Sequence, residues 1–120
     1  MSHNPRNGMS LYLAWKLKSE DSVSADNARA LLAQGERREL YRLRSWAITQ
    51  GEAQALVTPK VSLDQITGAI WIETDKPTRT RWVSSARACA AVAREIETKP
   101  VQLGLADRPE LWPFSSASGD

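Results

Sequence analysis

The chain is poor in the residues that most catalytic and metal chemistry needs. Of its 120 residues one is cysteine, Cys89, and one is histidine, His3. A single thiol cannot close an internal disulfide or supply a cysteine-rich zinc site. A single imidazole, set in the polar stretch MSHNPRNGMS, argues against a multi-histidine metal site and against a serine–histidine or cysteine–histidine pair on a rigid scaffold. Tyrosine occurs only as Tyr12 and Tyr41. No run of about 18 apolar residues is present, which excludes a membrane-spanning helix. The first ten residues have no apolar core of the kind a secretory signal needs, so a cytoplasmic location is expected.

The rest of the composition is ordinary for a globular domain: 42% hydrophobic and 25% charged residues. That length supports one core, hence one domain over residues 10–120 with a flexible leader at 1–9. The net charge of +2 permits a polyanionic partner without demanding one.

Apolar periodicity orders the elements. Ser10–Leu17 alternates, with Leu11, Leu13, Trp15 and Leu17 on one face, and reads as a half-buried strand. Ser24 is an expected N-cap for a helix whose stripe is Ala28, Leu31 and Leu32, with Gly35 as its C′ stop. Glu39–Thr49 alternates Tyr41, Leu43, Ser45 and Ala47 against Arg42, Arg44, Trp46 and Ile48. Gln50-Gly51 is a turn, and Glu52–Thr58 completes a hairpin. Ser62 and Gln65 form a capping-box pattern for a second helix through Ile66, Ala69 and Ile70. Asp75–Thr80 reads as a loop and Arg81–Val83 as a short strand. Ser84 or Ser85 caps a third helix with Ala88, Ala91, Val92 and Ile96 on its face, expected to stop before Pro100. The remainder, residues 100–120, carries Leu103, Leu105, Leu111, Trp112 and Phe114 and should dock rather than stay wet. The order β-α-β-β-α-(β)-α is that of a ferredoxin-like α+β sandwich: an antiparallel sheet, helices on one face, and a docked irregular C-terminal tail.

Two basic clusters stand out, Arg37, Arg38, Arg42 and Arg44, then Lys76, Arg79 and Arg81. Arg42 and Arg44 share a strand face and can track phosphates; Lys76, Arg79 and Arg81 form the second candidate nucleic-acid contact. Of the five tryptophans, Trp71 and Trp82 lie nearest the second cluster and are the candidates for stacking a base. Cys89 falls on the apolar side of its helix and reads as a small packed hydrophobe.

Two segments carry a family resemblance. YRLRSWAITQGEAQALVTPKVSLDQI, residues 41–66, and KPVQLGLADRPELWPFSSAS, residues 99–118, resemble the core and C-terminal signatures of REP-associated tyrosine transposases, the single-tyrosine branch of the HUH nucleases. The resemblance implies a ferredoxin-like fold, usually dimeric, that nicks single-stranded DNA near hairpins. It implies a divalent cation held by two histidines on the third strand and a nucleophilic tyrosine on a C-terminal helix. The histidine pair falls on Glu52 and Gln54 of the run Glu52-Ala53-Gln54. Glu52 retains an oxygen that suits Mg²⁺ or Mn²⁺, at most weakly, and Gln54 is a neutral amide. No tyrosine follows Tyr41. The expectation is a catalytically silent relative without a cofactor that binds single-stranded or hairpin DNA through Arg42, Arg44, Lys76, Arg79 and Arg81. A homodimer is expected. A homo-oligomeric interaction module that has lost DNA contact is the rival from another class. An active nuclease using Glu52 with Tyr12 or Tyr41 is the third reading.

Overall fold

The computed structural model describes residues 9–74 and 78–118. Lys76, His3 and all but Met9 of the expected leader lie outside the described residues. The elements are β1 (Ser10–Lys16), α1 (Ser22–Arg37), β2 (Tyr41–Thr49), β3 (Glu52–Pro59), α2 (Leu63–Thr74), β4 (Arg79–Val83) and α3 (Ala86–Gln102), followed by short 3₁₀ turns at Pro109–Leu111 and Ser116–Ser118. The sheet runs β2-β3-β1-β4 with each neighbouring pair antiparallel. This is the α+β, ferredoxin-like arrangement expected from the element order.

Local chemistry sets the boundaries, not always where the pattern puts them. α1 begins three residues before the position expected from a Ser24 cap: Asp21 accepts from the Ser24 N–H at 2.8 Å, and that bond holds its carboxyl below the usual range. Gly35 does not stop α1. It lies inside the helix and is buried, and the turn is made instead by Glu39 at φ 64°. At α2 the capping box forms as expected, with Ser62 and Gln65 each accepting from the other's backbone N–H at 3.2–3.3 Å. Ser85 caps α3, accepting from Ala88 N–H at 3.0 Å. α3 runs on through Pro100 to Gln102. Burial of the Pro100 ring against the core keeps it in the helix, although the ring removes one backbone donor. β4 starts at Arg79, two residues earlier than expected.

The strand β2 breaks its own alternation. Leu43 pairs with Val57 and Ser45 with Leu56, so Arg44 is an extra, bulged residue. The bulge reverses the parity of the strand beyond it. Trp46 and Ile48 join Tyr41 and Leu43 on the core side, where strict alternation would set them opposite.

The helices occupy both faces. α1 and α2 bury Ala25, Ala28, Leu32, Ile66 and Ile70 against Leu11, Leu13, Trp15, Ala53, Ala55 and Val57. α3 takes the other face, packing Cys89, Val92 and Ile96 onto Val83, Leu56 and Ala47. Helices on one face only would have left that second set wet. Cys89 is buried with its Sγ directed to the Val83 carbonyl, the packed role expected of it.

The tail docks along the outer edge of β2. Trp112 Nε1–H donates to Ile48 O at 2.7 Å, Phe114 O accepts from Ile48 N–H at 2.8 Å, and Ser115 bridges to Ala47. Ser116 Oγ accepts from Trp46 N–H at 2.9 Å and donates to the Glu97 carboxylate at 2.6 Å. These bonds satisfy donors and acceptors that an open sheet edge would expose.

Candidate nucleic-acid interface

The path of α3 defines the site. Val83 lies level with Ser10 in the sheet, Leu56 level with Tyr12, and Ala47 level with Gln54. Each contact is therefore two residues further along the sheet as the helix steps from β4 to β3 to β2. α3 crosses the face diagonally and separates two corners. One corner holds Tyr12 and Lys16 of β1, Glu52 and Gln54 of β3, and Arg79 and Arg81 of β4. The other holds Ser10, Thr58, Arg42 and Arg44.

The first corner is a connected polar cluster. Pairing sets Lys16 opposite Glu52, Ala14 opposite both Gln54 and Arg79, and Tyr12 opposite Arg81. The Gln54 amide donates to the Tyr12 hydroxyl at 2.8 Å. Burial is the main cause that pushes the Tyr12 phenol above its ordinary pKa, with the Glu52 charge adding to it. The Arg81 guanidinium sits over the Tyr12 ring, 5.3 Å from its centroid. Arg79 forms an ion pair with Glu52. The two partners differ in exposure, the arginine side chain at 63% and the glutamate at 22%.

The second corner is tighter. Arg44 Nη1–H donates to the buried Ser10 hydroxyl at 3.2 Å. Arg42 lies level with Thr58 and is exposed. The expected arginine set is thus split: Arg79 and Arg81 gather beside Glu52 and Gln54, whereas Arg42 and Arg44 stand on the far side of α3. The expected stacking residues are elsewhere too. Trp71 is half exposed, but on α2, across the sheet, and Trp82 packs against the core. A cleft of about 350 Å³ between β1, α1 and α2 is lined by Trp15, Lys16, Asn27, Leu31, Gln34 and Glu73 and by no arginine.

A divalent cation at Glu52 and Gln54 does not fit the residues present. The Glu52 carboxylate is already paired with Arg79, and Gln54 turns its amide N–H toward Tyr12. Among the described residues no three histidine, cysteine, aspartate or glutamate side chains group closely enough to hold a metal ion. Nor is any described helix long and apolar enough to cross a membrane.

The alternation of β1 places Tyr12 and Lys16 on one face but does not mark them as site residues. The signal that does is the strand order: a ferredoxin-like sheet seats β1 between β3 and β4, and that adjacency brings Tyr12 between Gln54 and Arg81.

No family model and no curated protein matches the chain. Among solved structures, a REP-associated tyrosine transposase bound to a REP hairpin aligns with a TM-score of 0.71 at 12% identity, covering 100% of this chain and 83% of that one. The chain therefore has the fold of that transposase.

Proposed function

We propose that this chain is a transposase-related protein that binds single-stranded or hairpin DNA through the Tyr12–Arg81 corner and does not cut it. One observation carries the reading. On a transposase fold, the two positions where the sequence resemblance would set a histidine pair are engaged by protein partners, Glu52 by Arg79 and Gln54 by Tyr12, while the arginines stay exposed. Exposed guanidinium groups recognise phosphate oxygens. The solved transposase was captured with a hairpin, and the ligand class proposed here is the same.

Silence at the chemical step is a consequence of the donor set. Phosphodiester attack needs an oriented nucleophile and neutralisation of the developing charge. Tyr12 is the phenol nearest the cluster. Its oxygen accepts from Gln54, and its raised pKa leaves little phenolate at neutral pH. Tyr41 is buried on the other face and donates to Leu32 O.

The test is a titration of a labelled hairpin and of its unpaired strand at low and moderate salt. Binding that weakens with salt supports the reading, and no binding at low salt refutes it. Incubation with Mg²⁺ or Mn²⁺ followed by a denaturing gel checks the second half, since a covalent protein–DNA adduct would refute silence.

A second reading, a homo-oligomeric module, draws on the neighbouring exposed side chains Trp71 and Ile72 of α2, 51% and 79% accessible. Light scattering decides it: a stable assembly indifferent to DNA and salt favours that reading.

A further inference from the structure

The Glu52–Arg79 pair has a chemical meaning beyond a surface ion pair. Arg79 and Arg81 are two residues apart on one face of an edge strand, so their Cα atoms are separated by about 6.7 Å. That matches the step between successive phosphates of an extended single strand. The two guanidinium groups are held differently. Arg81 lies over Tyr12 and makes no ion pair among the described residues. Arg79 is occupied by a carboxylate, which presents two oxygens to a guanidinium much as a phosphate does. The carboxylate is the more buried partner and the arginine the more exposed one, so the acid is fixed and the arginine is the arm free to turn outward.

We propose that Arg81 and Arg79 bind successive backbone phosphates, and that Glu52 occupies Arg79 in the free protein as a resident phosphate mimic which DNA displaces. The inference rests on the DNA-binding reading above and adds the ligand groups and the competitor. A carboxylate at this position weakens binding, because each phosphate gained by Arg79 must first be exchanged for Glu52.

The decisive variant is Glu52→Gln, which keeps shape and removes charge. Glu110→Gln is the control: it changes net charge equally and frees Arg108 from its own ion pair, at 3.6 Å, in the tail. With a labelled single strand, Glu52→Gln is expected to bind several-fold more tightly at low salt. Its salt slope should differ from that of the wild type by less than one phosphate contact, about 0.7, because Arg79 reaches the same phosphate in both proteins. Glu110→Gln should stay within about twofold of the wild type, a range set by the weak, screened effect of a remote surface charge. Arg79→Gln should bind several-fold more weakly. Equal gains in both glutamate variants, an indifferent Glu52→Gln, or an unchanged Arg79→Gln overturns the inference while wild-type binding leaves the functional reading standing. A Glu52→Gln protein that binds less tightly only when Mg²⁺ is present also overturns it, since that is the signature of a cation ligand. Absence of binding by wild type and Glu52→Gln alike overturns both.

Discussion

Gly35 of α1 lies against the ring of Tyr41 at the start of β2, so closely that a Cβ on Gly35 would overlap the phenol. The glycine is there for packing, not to end the helix. Alanine at an ordinary helical glycine gains about 1 kcal/mol. Here the added methyl has to displace the Tyr41 ring, which donates from Oη to Leu32 O at 2.8 Å. Overpacking of this kind costs about 1–3 kcal/mol. Gly35→Ala is therefore expected to lower stability by about 1 kcal/mol, measured by urea unfolding. A more stable variant would show that the ring moves freely.

Two helices end in the same way with different residues. After α3, Gly104 has φ 75°, its N–H donates to Val101 O, and Leu105 N–H donates to Pro100 O. After α1, Glu39 has φ 64°, its N–H donates to Glu36 O, and Leu40 N–H donates to Gly35 O. Both are Schellman turns, and only the first has the residue that suits a left-handed conformation. Glu39→Gly relieves a strain of about 1 kcal/mol and loses an exposed ion pair to Lys60 that contributes at most about that much. A net gain of about 0.5 kcal/mol is expected by thermal or chemical denaturation. Gly104→Ala, in an open site, should lose about 1 kcal/mol for the mirror reason.

Tyr41 also makes stability depend on alkaline pH. Burial, and then the Glu36 charge, raise its pKa well above the ordinary 10.0. In the unfolded chain the phenol ionises near 10.0, while in the fold it stays protonated to higher pH. Its contribution is fully present below pH 10 and is lost progressively above it, because the unfolded state releases the proton first. Melting temperature should fall as pH rises from about 9 to 11, and Tyr41→Phe should flatten that fall. An equally steep fall in the variant would assign the effect to lysines or arginines instead.

The parts of the fold that sequence makes plain are those where local chemistry and burial agree. The capping box at Ser62 and Gln65, the Gln50-Gly51 turn and the alternation of β1 all report a backbone preference and a buried face at once. Gly35 and Pro100 mislead for one physical reason: each carries a strong local preference to end a helix, and tertiary packing overrides it, against Tyr41 in one case and in the core beneath α3 in the other. The bulge at Arg44 leaves no mark, because a single extra residue changes the parity of β2 without changing its composition. The site is half legible. Glu52, Gln54, Arg79 and Arg81 can be named from charge and resemblance. Tyr12 enters the sequence reading only as one of two possible nucleophiles; its place beside Gln54 and Arg81 depends on strand order and not on any property of β1 alone. The diagonal path of α3, which separates the arginines, is likewise a consequence of three contacts distant in sequence.

That separation yields the last prediction. Arg42 and Arg44 match Arg79 and Arg81 in charge and in spacing along a strand, so composition gives no reason to prefer either pair. The structure does. Arg44 is tied to the buried Ser10 hydroxyl, and α3 stands between its corner and the Tyr12–Gln54 cluster. Arg79 and Arg81 share their corner with Tyr12, over whose ring Arg81 sits, and with Lys16 on the same face of β1. Replacing Arg79 and Arg81 together by alanine should weaken single-strand binding by at least about tenfold at low salt and flatten the salt dependence by about 1.4, two phosphate contacts at about 0.7 each. Replacing Arg42 and Arg44 together removes the same charge and should cost no more than about threefold, the long-range share of a screened surface field. Titration of the two double variants in parallel, at matched ionic strength, separates the corners. Equal losses would mean that net charge alone governs binding, and a larger loss from Arg42 and Arg44 would move the DNA path to the other side of α3.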